Sequence, residues 1–294
     1  MMKAFVIGNA ALDETISVAD FPRPGASIFG RALSQDLGGK GVNQAVAMAR
    51  TGLACHLVAA VGQDARGREI AARLASEPVM AQLIALPGVA TDNSIILMAG
   101  HGENAVITTR AAAGAMTPDH AIAALDRAAP GDLLVLQGNL GAATTGAALR
   151  AGRARGMRTA LNPSPLQDYV GDLWPLVDCA FLNEDEATSL GGDARLLAQG
   201  VAEVVLTLGA RGAALVRPGT RIDGPATPCA VVDTTGAGDC FMAVALASAA
   251  LRGSPLDARA LRHAAIAAAW TVGRAGTVSA FPDAYRMRGI LAGD

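Results

Sequence analysis

The stretch VDTTGAGDCF, residues 232–241, decides how the rest of the chain is read. Its glycines stand directly before an alanine-rich run that continues to about Arg252. This spacing predicts a glycine turn feeding the N-terminus of a long helix, with Asp239 where the helix begins. The first N–H groups of a helix lack intrahelical partners, and glycine lets a ligand come close to them, so such a turn suits a phosphate. Asp239 is placed to take a proton from an attacking hydroxyl, while Gly236, Ala237 and Gly238 offer N–H groups to a transferring phosphoryl group. Standing alone, the segment reads better as a glycine bend with an aspartate cap.

A second glycine-rich turn, GGKGVNQA at residues 38–45, also leads into a helical pattern and carries one cation and two amides. Ammonium and amide groups hydrogen-bond sugar hydroxyls, and glycines bring the backbone within reach of them. By itself it reads better as a turn with a solvated Lys40. It is no Walker A loop, because GxxxxGK[ST] is absent, and no GxGxxG follows a strand.

Outward from these turns, short apolar runs recur at residues 4–7, 57–61, 133–137, 159–162, 180–183 and 204–208. They predict buried parallel strands. Helical patterns near 43–52, 65–76, 119–129, 142–155 and 193–202 alternate with them, so the fold class is α/β, a three-layer α/β/α sandwich. Two stretches break the rhythm. Residues 14–36 hold Pro22 and Pro24, and residues 94–110 read as strand, a Gly100-His101-Gly102 turn, and strand. Both are expected to be antiparallel extensions that pair into a small β-sheet lid above the core; ordinary surface hairpins fit the pattern equally well.

The 294 residues suffice for one large α/β domain with an added small unit. With 24 basic against 26 acidic residues and no basic run, nucleic acid is not an expected partner, and a small molecule is. Cys55, Cys179, Cys229 and Cys240 are scattered without metal-ligand or disulfide spacing, which points to a reducing cytoplasm. Asp13 and Glu14 arrive where a signal peptide stays uncharged, and the apolar runs are too short for a bilayer, so no membrane partner is expected.

GGKGVNQA together with DTTGAGDCF, in this order, resembles the two signature regions of the ribokinase-like (PfkB-type) carbohydrate kinases. The likeness spans nearly the whole chain. It implies a ribokinase-like fold with a large domain (residues 1–12, 37–89 and 113–294) and a lid (13–36 and 90–112). The implied reaction moves the γ-phosphoryl group of ATP to a hydroxyl, expected to be primary, of a small sugar such as ribose or a related furanose or ketose. Asp13, Gly39, Lys40, Gly41 and Asn43 would hold the sugar, and Asp239 would deprotonate its hydroxyl in an anion hole of Gly236, Ala237 and Gly238. Asn183 and Glu186 match an NxxE motif that organises Mg2+ and phosphates, Glu186 indirectly; a helix cap is the alternative role. Thr207, Gly209, Arg211, Gly212, Gly238 and His263 match the nucleotide site. A K+ site would fall on Asp233, Thr235, Thr271, Arg274, Gly276 and Ala280.

Three positions depart from ribokinases. Ala11 replaces an asparagine, with Asn9 two residues earlier on the same side of an extended strand. Asn139, after Gln137 and Gly138, replaces a glutamate, so a charged acceptor has become neutral. Ala280 replaces a serine in the cation set. The first two put ribose itself in question as the preferred sugar. A homodimer through the lid is a further expectation, with Ile16, Val18, Ile95 and Leu97 as its face; the same residues could instead cover the site. Two other functions stay open: a nucleoside kinase of the same fold, disfavoured by the 3% aromatic content, and a non-catalytic sugar- or nucleotide-binding regulator, disfavoured by the intact Asp239 turn.

Overall fold

The structure, a computed structural model, describes residues 2–100 and 104–293. The chain begins with β1 (Ala4–Asn9), β2 (Ala11–Val18) and β3 (Arg31–Gly38), then α1 (Lys40–Arg50), β4 (Cys55–Gly62), α2 (Ala65–Leu74) and β5 (Met80–Leu86). It continues through β6 (Asp92–Ala99), β7 (Asn104–Thr108), α3 (Ala111–Ala115), α4 (Pro118–Ala123), β8 (Leu133–Gln137), α5 (Ala142–Ala154) and β9 (Arg158–Asn162). Then come β10 (Cys179–Asn183), α6 (Glu184–Ser189), α7 (Asp193–Ala198), β11 (Glu203–Thr207), β12 (Ala213–Arg217) and β13 (Thr220–Gly224). The chain closes with α8 (Ala237–Arg252), α9 (Ala258–Val272) and α10 (Ala284–Ala292).

Among the described residues, nine strands form one sheet in the order β13-β12-β11-β10-β9-β8-β1-β4-β5. Pairing is parallel from β11 to β5, and β12 and β13 add an antiparallel hairpin at one edge. Side chains of a strand alternate between faces, so each central strand feeds two cores. In β1, Ala4 and Val6 join the core under α1, α8 and α9, while Phe5 and Ile7 join the one under α3, α4 and α5. The α8 helix is buried over nearly its whole length and packs against α1 and α9. Its alanines make this close approach feasible, since a small side chain leaves no bulk between helix backbones.

A four-stranded sheet, in the order β3-β2-β6-β7, stands apart from the large one. The β2–β3 and β6–β7 pairs are antiparallel, and the two hairpins join through parallel pairing of β2 with β6, from Ala11 opposite Asp92 to Val18 opposite Ala99. The parallel seam was not expected from sequence. Residue Ala10 alone separates β1 from β2, and Gly39, at φ +87°, separates β3 from α1. That φ lies in the left-handed region, which excludes most other residues. The small sheet therefore springs directly from the strand and helix that frame the cleft. Residues 101–103, which include most of the expected Gly100-His101-Gly102 turn, lie outside the described residues.

The six apolar runs expected to be strands are β1, β4, β8, β9, β10 and β11, and the alanine-rich helix ends at Arg252 as its composition implied. The sequence pattern missed β5, an edge strand with mostly exposed side chains, and the β12–β13 hairpin. The helix expected over 119–129 is shorter, ending at Ala123.

Candidate active site

The two glycine turns, 196 residues apart between Asn43 and Asp239, meet at the C-terminal edge of the large sheet. Open parallel sheets bind ligands there, outside the carboxyl ends of their strands. Asp239 lies in the first turn of α8, buried, and both its oxygens are engaged from α1: Asn43 Nδ2 donates to Oδ2 and Gln44 Nε2 to Oδ1, each at 2.9 Å. Lys40 Nζ stands 3.8 Å from Oδ1. Residues 40, 43 and 44 share one face of a helix by their i, i+3, i+4 spacing, which lets a single helix present all three to the carboxylate.

Gln44, the second amide of the motif, is spent on Asp239 and extends the contact. Gln137 Nε2, at the end of β8, donates to Gln44 Oε1 at 2.8 Å, so a buried chain runs from the sheet through α1 to Asp239. Asn9 Oδ1 accepts from Gly41 N–H at 3.2 Å, so Asn9 holds the turn. Ala11 is fully buried at the start of β2.

Asp13, in β2, points over Gly38, where a Cβ would meet its carboxylate at 2.0 Å. Burial pushes the Asp13 carboxyl up to about 6; hydrogen bonds from Ser94 and Thr277 pull it down, and the Asp36 and Asp239 charges push it up again. Asp13 Oδ1, Asn43 Oδ1, Asn139 Oδ1 and Gln137 Oε1 are buried acceptors without a partner among the described residues. Buried acceptors are normally satisfied, so these four suit a ligand rich in donors.

At the turn, Gly236 adopts φ +74°, and Cys240 N–H is the first in α8 to make the helical bond, to Gly236 O at 2.9 Å. Gly238 and Asp239 N–H groups stay unpaired among the described residues, and the space beside Gly238 is open. An anion placed there meets free N–H groups and the positive end of the helix dipole.

Asn183 and Glu186 form a reciprocal cap at the start of α6: Asn183 Oδ1 accepts from Glu186 N–H at 2.8 Å and Glu186 Oε2 from Asn183 N–H at 3.0 Å. Thr207 lies opposite Asn183 in the sheet, and Arg211 pairs with Glu184, so the 207–212 turn and α6 form one wall. Gly212 backs onto residues 224–226. Beyond them opens a cleft of about 1020 Å3 between residues 227–230, α9 and α10, lined by Cys229, Ile266, Trp270, Arg274 and Tyr285 among others.

His263 is buried between α8, α9 and the C-terminal end, away from the two glycine turns. Its Nε2–H donates to Gly293 O at 3.0 Å, which leaves Nδ1 to accept from Ser248 Oγ at 2.8 Å. Burial lowers its pKa, so it stays neutral, with both ring nitrogens occupied.

Asp233 ties the glycine turn to the loop after α9: its Oδ1 accepts from Thr235 N–H at 2.9 Å and its Oδ2 from Gly276 N–H at 3.2 Å. Thr235 Oγ1 is buried and unpartnered among the described residues. Thr271 Oγ1 is spent on Ala267 O, Ala280 is buried, and the Arg274 guanidinium stacks on Trp270. Among the described residues, no group of three or more His, Cys, Asp or Glu side chains could hold a metal unaided. A lone Glu186 carboxylate still fits a hard divalent ion that arrives on phosphate oxygens and keeps most of its water. None of the described helices is long and apolar enough to cross a membrane.

The pattern of the pfkB family carbohydrate kinases matches residues 1–284. The chain is 28% identical to the ribokinase of Bacillus subtilis over 295 residues, covering 99% of this chain and all of that one. It is 26% identical to the bifunctional ribokinase/ribose-5-phosphate isomerase A of Fructilactobacillus sanfranciscensis, but spans only 57% of that protein's length. The structure of Arabidopsis thaliana ribokinase complexed with ribose and ATP superposes with a TM-score of 0.86 at 25% identity, each chain fully covered.

Proposed function

The chain belongs to the pfkB family of carbohydrate kinases, and from that premise we propose that it moves the terminal phosphoryl group of ATP to a hydroxyl of a small sugar. The observation that carries this is the convergence of the Asp239 carboxylate, the α1 amides and the free N–H groups of the glycine turn at the start of α8. Asp13, Gly39, Lys40, Gly41, Asn43 and Asn139 hold the sugar in this reading; the unpartnered oxygens of Asp13, Asn43 and Asn139 accept its hydroxyls. Asp239 receives the proton of the attacking hydroxyl, held in place by Asn43 and Gln44, while the free N–H groups of Gly238 and Asp239 carry the phosphoryl charge; the N–H of Ala237, expected beside them, bonds Thr234 O at 3.3 Å.

ATP lies along the 227–239 segment, its triphosphate at the glycine turn and beside Asn183, its base in the cleft at Cys229 and Ile266, walled by the 207–212 turn. Gly236 lies six positions beyond Ala230, an extended reach of up to about 20 Å, ample for the nucleotide. In this arrangement His263 supports the wall from behind and does not line it. Mg2+, held by the phosphates, water and Glu186, neutralises phosphate charge when bound. Asp233 and Thr235, with loop carbonyls up to Ala280, suit K+; replacing K+ by Na+ in the assay is expected to lower kcat, and equal rates would dismiss the site. The neutral Asn139 weakens the case for ribose as the best acceptor, and the sugar is a furanose or ketose with a primary hydroxyl.

The test is turnover with ATP against a panel of pentoses, ketohexoses and nucleosides, with Asp239→Asn beside the wild type. Loss of a general base costs about 10²- to 10⁴-fold in kcat. A folded Asp239→Asn protein with near-normal turnover would remove the base from this reading. Nucleosides as the preferred acceptors, or binding without turnover, would replace it by one of the two other functions.

A further inference from the structure

Behind Asp239 stands a chain of buried amides that can point only one way. An ionised carboxylate accepts hydrogen bonds and donates none, so Gln44 turns its Nε2 to Asp239 Oδ1, at 2.9 Å, and its Oε1 to the other side. That oxygen also accepts, so Gln137 presents its Nε2 there, at 2.8 Å, and its own Oε1 is left over. Reversing either amide would set oxygen against oxygen. Both glutamines are fully buried, and Gln137 Oε1 has no partner among the described residues. Neighbouring donors are committed elsewhere: Gly41 N–H to Asn9 Oδ1, and the amide of Asn162, opposite Gln137 in the sheet, to Phe181 O.

Two buried amides and an open acceptor cost stability that apolar side chains of the same size would not, because each buried polar group needs its bonds. The backbone is nonetheless shaped to admit them. A Cβ on Gly8 would stand 2.0 Å from Gln137 Oε1 and 2.8 Å from Gly41 Cα, so β1 carries a glycine where the Gln137 side chain passes toward α1. Asn43, next to Gln44, holds the second carboxylate oxygen through Nδ2 at 2.9 Å. With one amide on each oxygen, the carboxylate plane of Asp239 is locked against rotation, and its remaining lone pairs keep a fixed direction.

We propose that Gln137, acting through Gln44, is a positioning residue that aims the free lone pairs of Asp239 at the acceptor hydroxyl. This rests on the sugar-kinase reading above. The essential property of Gln137 is its donor, which keeps Gln44 turned toward the base. A displacement of about 1 Å in the reacting geometry can cost roughly a hundredfold in rate, so an anchor one residue removed from the base can govern kcat.

The experiment compares kcat and KM of the wild type, Gln137→Met, Gln137→Glu and Gln44→Met with the best acceptor sugar of the panel, from about pH 5.5 to 9. Gln137→Met keeps the length and removes the donor; kcat should fall by about 10- to 100-fold at every pH, with the sugar KM within about threefold. In Gln137→Glu the new carboxyl donates only while protonated. Burial and the Asp239 and Asp13 carboxylates raise its pKa above the ordinary value of about 4.3, with Lys40, 3.8 Å from Asp239, opposing them. This variant should therefore stand nearest the wild type at the acid end and fall toward Gln137→Met as pH passes its pKa. Gln44→Met should lose at least as much as Gln137→Met, and the double variant no more than the larger single loss, because the two amides act as one unit. Thermal melts identify any variant that fails to fold, and if Gln137→Met is lost, Gln137→Glu carries the test through its pH profile. A folded Gln137→Met with wild-type kcat, a Gln137→Glu no better than Gln137→Met at the acid end, or losses that add in the double variant overturns the positioning role while leaving turnover intact. A rise in sugar KM alone overturns it too, by making Gln137 a sugar ligand. A wild type that phosphorylates no sugar overturns the kinase reading and this one together.

Discussion

Asp13 is the carboxylate whose chemistry the fold alters most. With its folded pKa raised from 3.8 to about 6, it is ionised above that pH and gains a proton as pH falls through it. Sugar hydroxyls donate to the ionised form and favour it, so binding lowers this pKa and, near pH 6, releases a proton. Sugar affinity is expected to fall as pH drops below about 6, and calorimetry in buffers of different ionisation heat should register the released proton. Asp13→Asn should flatten both effects; an unchanged pH profile in that variant would assign the titration to another group. At this scale the sequence was legible where a motif was local. Lys40, Asn43 and Asp239 were readable from two short stretches, whereas Asp36 and Thr277 act across separations of 241 and 264 residues and have no local mark.

Among the elements, the β3–Gly39–α1 junction is where geometry leaves least freedom. Gly38 is the last residue of β3, and a Cβ there would overlap the Asp13 carboxylate. Gly38→Ala is therefore expected to swing Asp13 aside and raise the KM for sugar by about 10- to 100-fold, the equivalent of losing one hydrogen bond to a charged group. The KM for ATP should change little, because α8 and its turn are untouched; a matching rise in both would mean that the junction itself had collapsed. Strands buried on both faces announced themselves as unbroken apolar runs, and β1, β4 and β8 to β11 were readable for that reason. The MAQLIAL of β5 and the AALVR of β12 are edge or near-edge segments whose composition suits a helix as well as a strand, so only the sheet decides them.

At the scale of the whole molecule, the outward side of the small sheet is its least finished surface. Val106 and Ile107 on the edge strand β7 and Phe29 in the β2–β3 connection are all more than half exposed, while of the residues first expected there Ile16, Ile95 and Leu97 are half-buried and Val18 is buried. An edge strand with free backbone groups and apolar side chains invites a partner strand. Two copies are expected to pair through it, seen as a dimer in sedimentation and as a monomer in Ile107→Lys; a monomeric wild type at high concentration would dismiss the pairing. The seam between β2 and β6 carries a different consequence, for the order in which the molecule is made. Its eight residue pairs join segments about 80 positions apart, with β3, α1, β4, α2 and β5 between them. Closing so long a loop costs entropy that only a formed scaffold repays, so this sheet should zip late, after the intervening layer has condensed. A nascent chain released before residue 99 would carry a finished helix and no roof, and newly folded protein should acquire its amide protection there last.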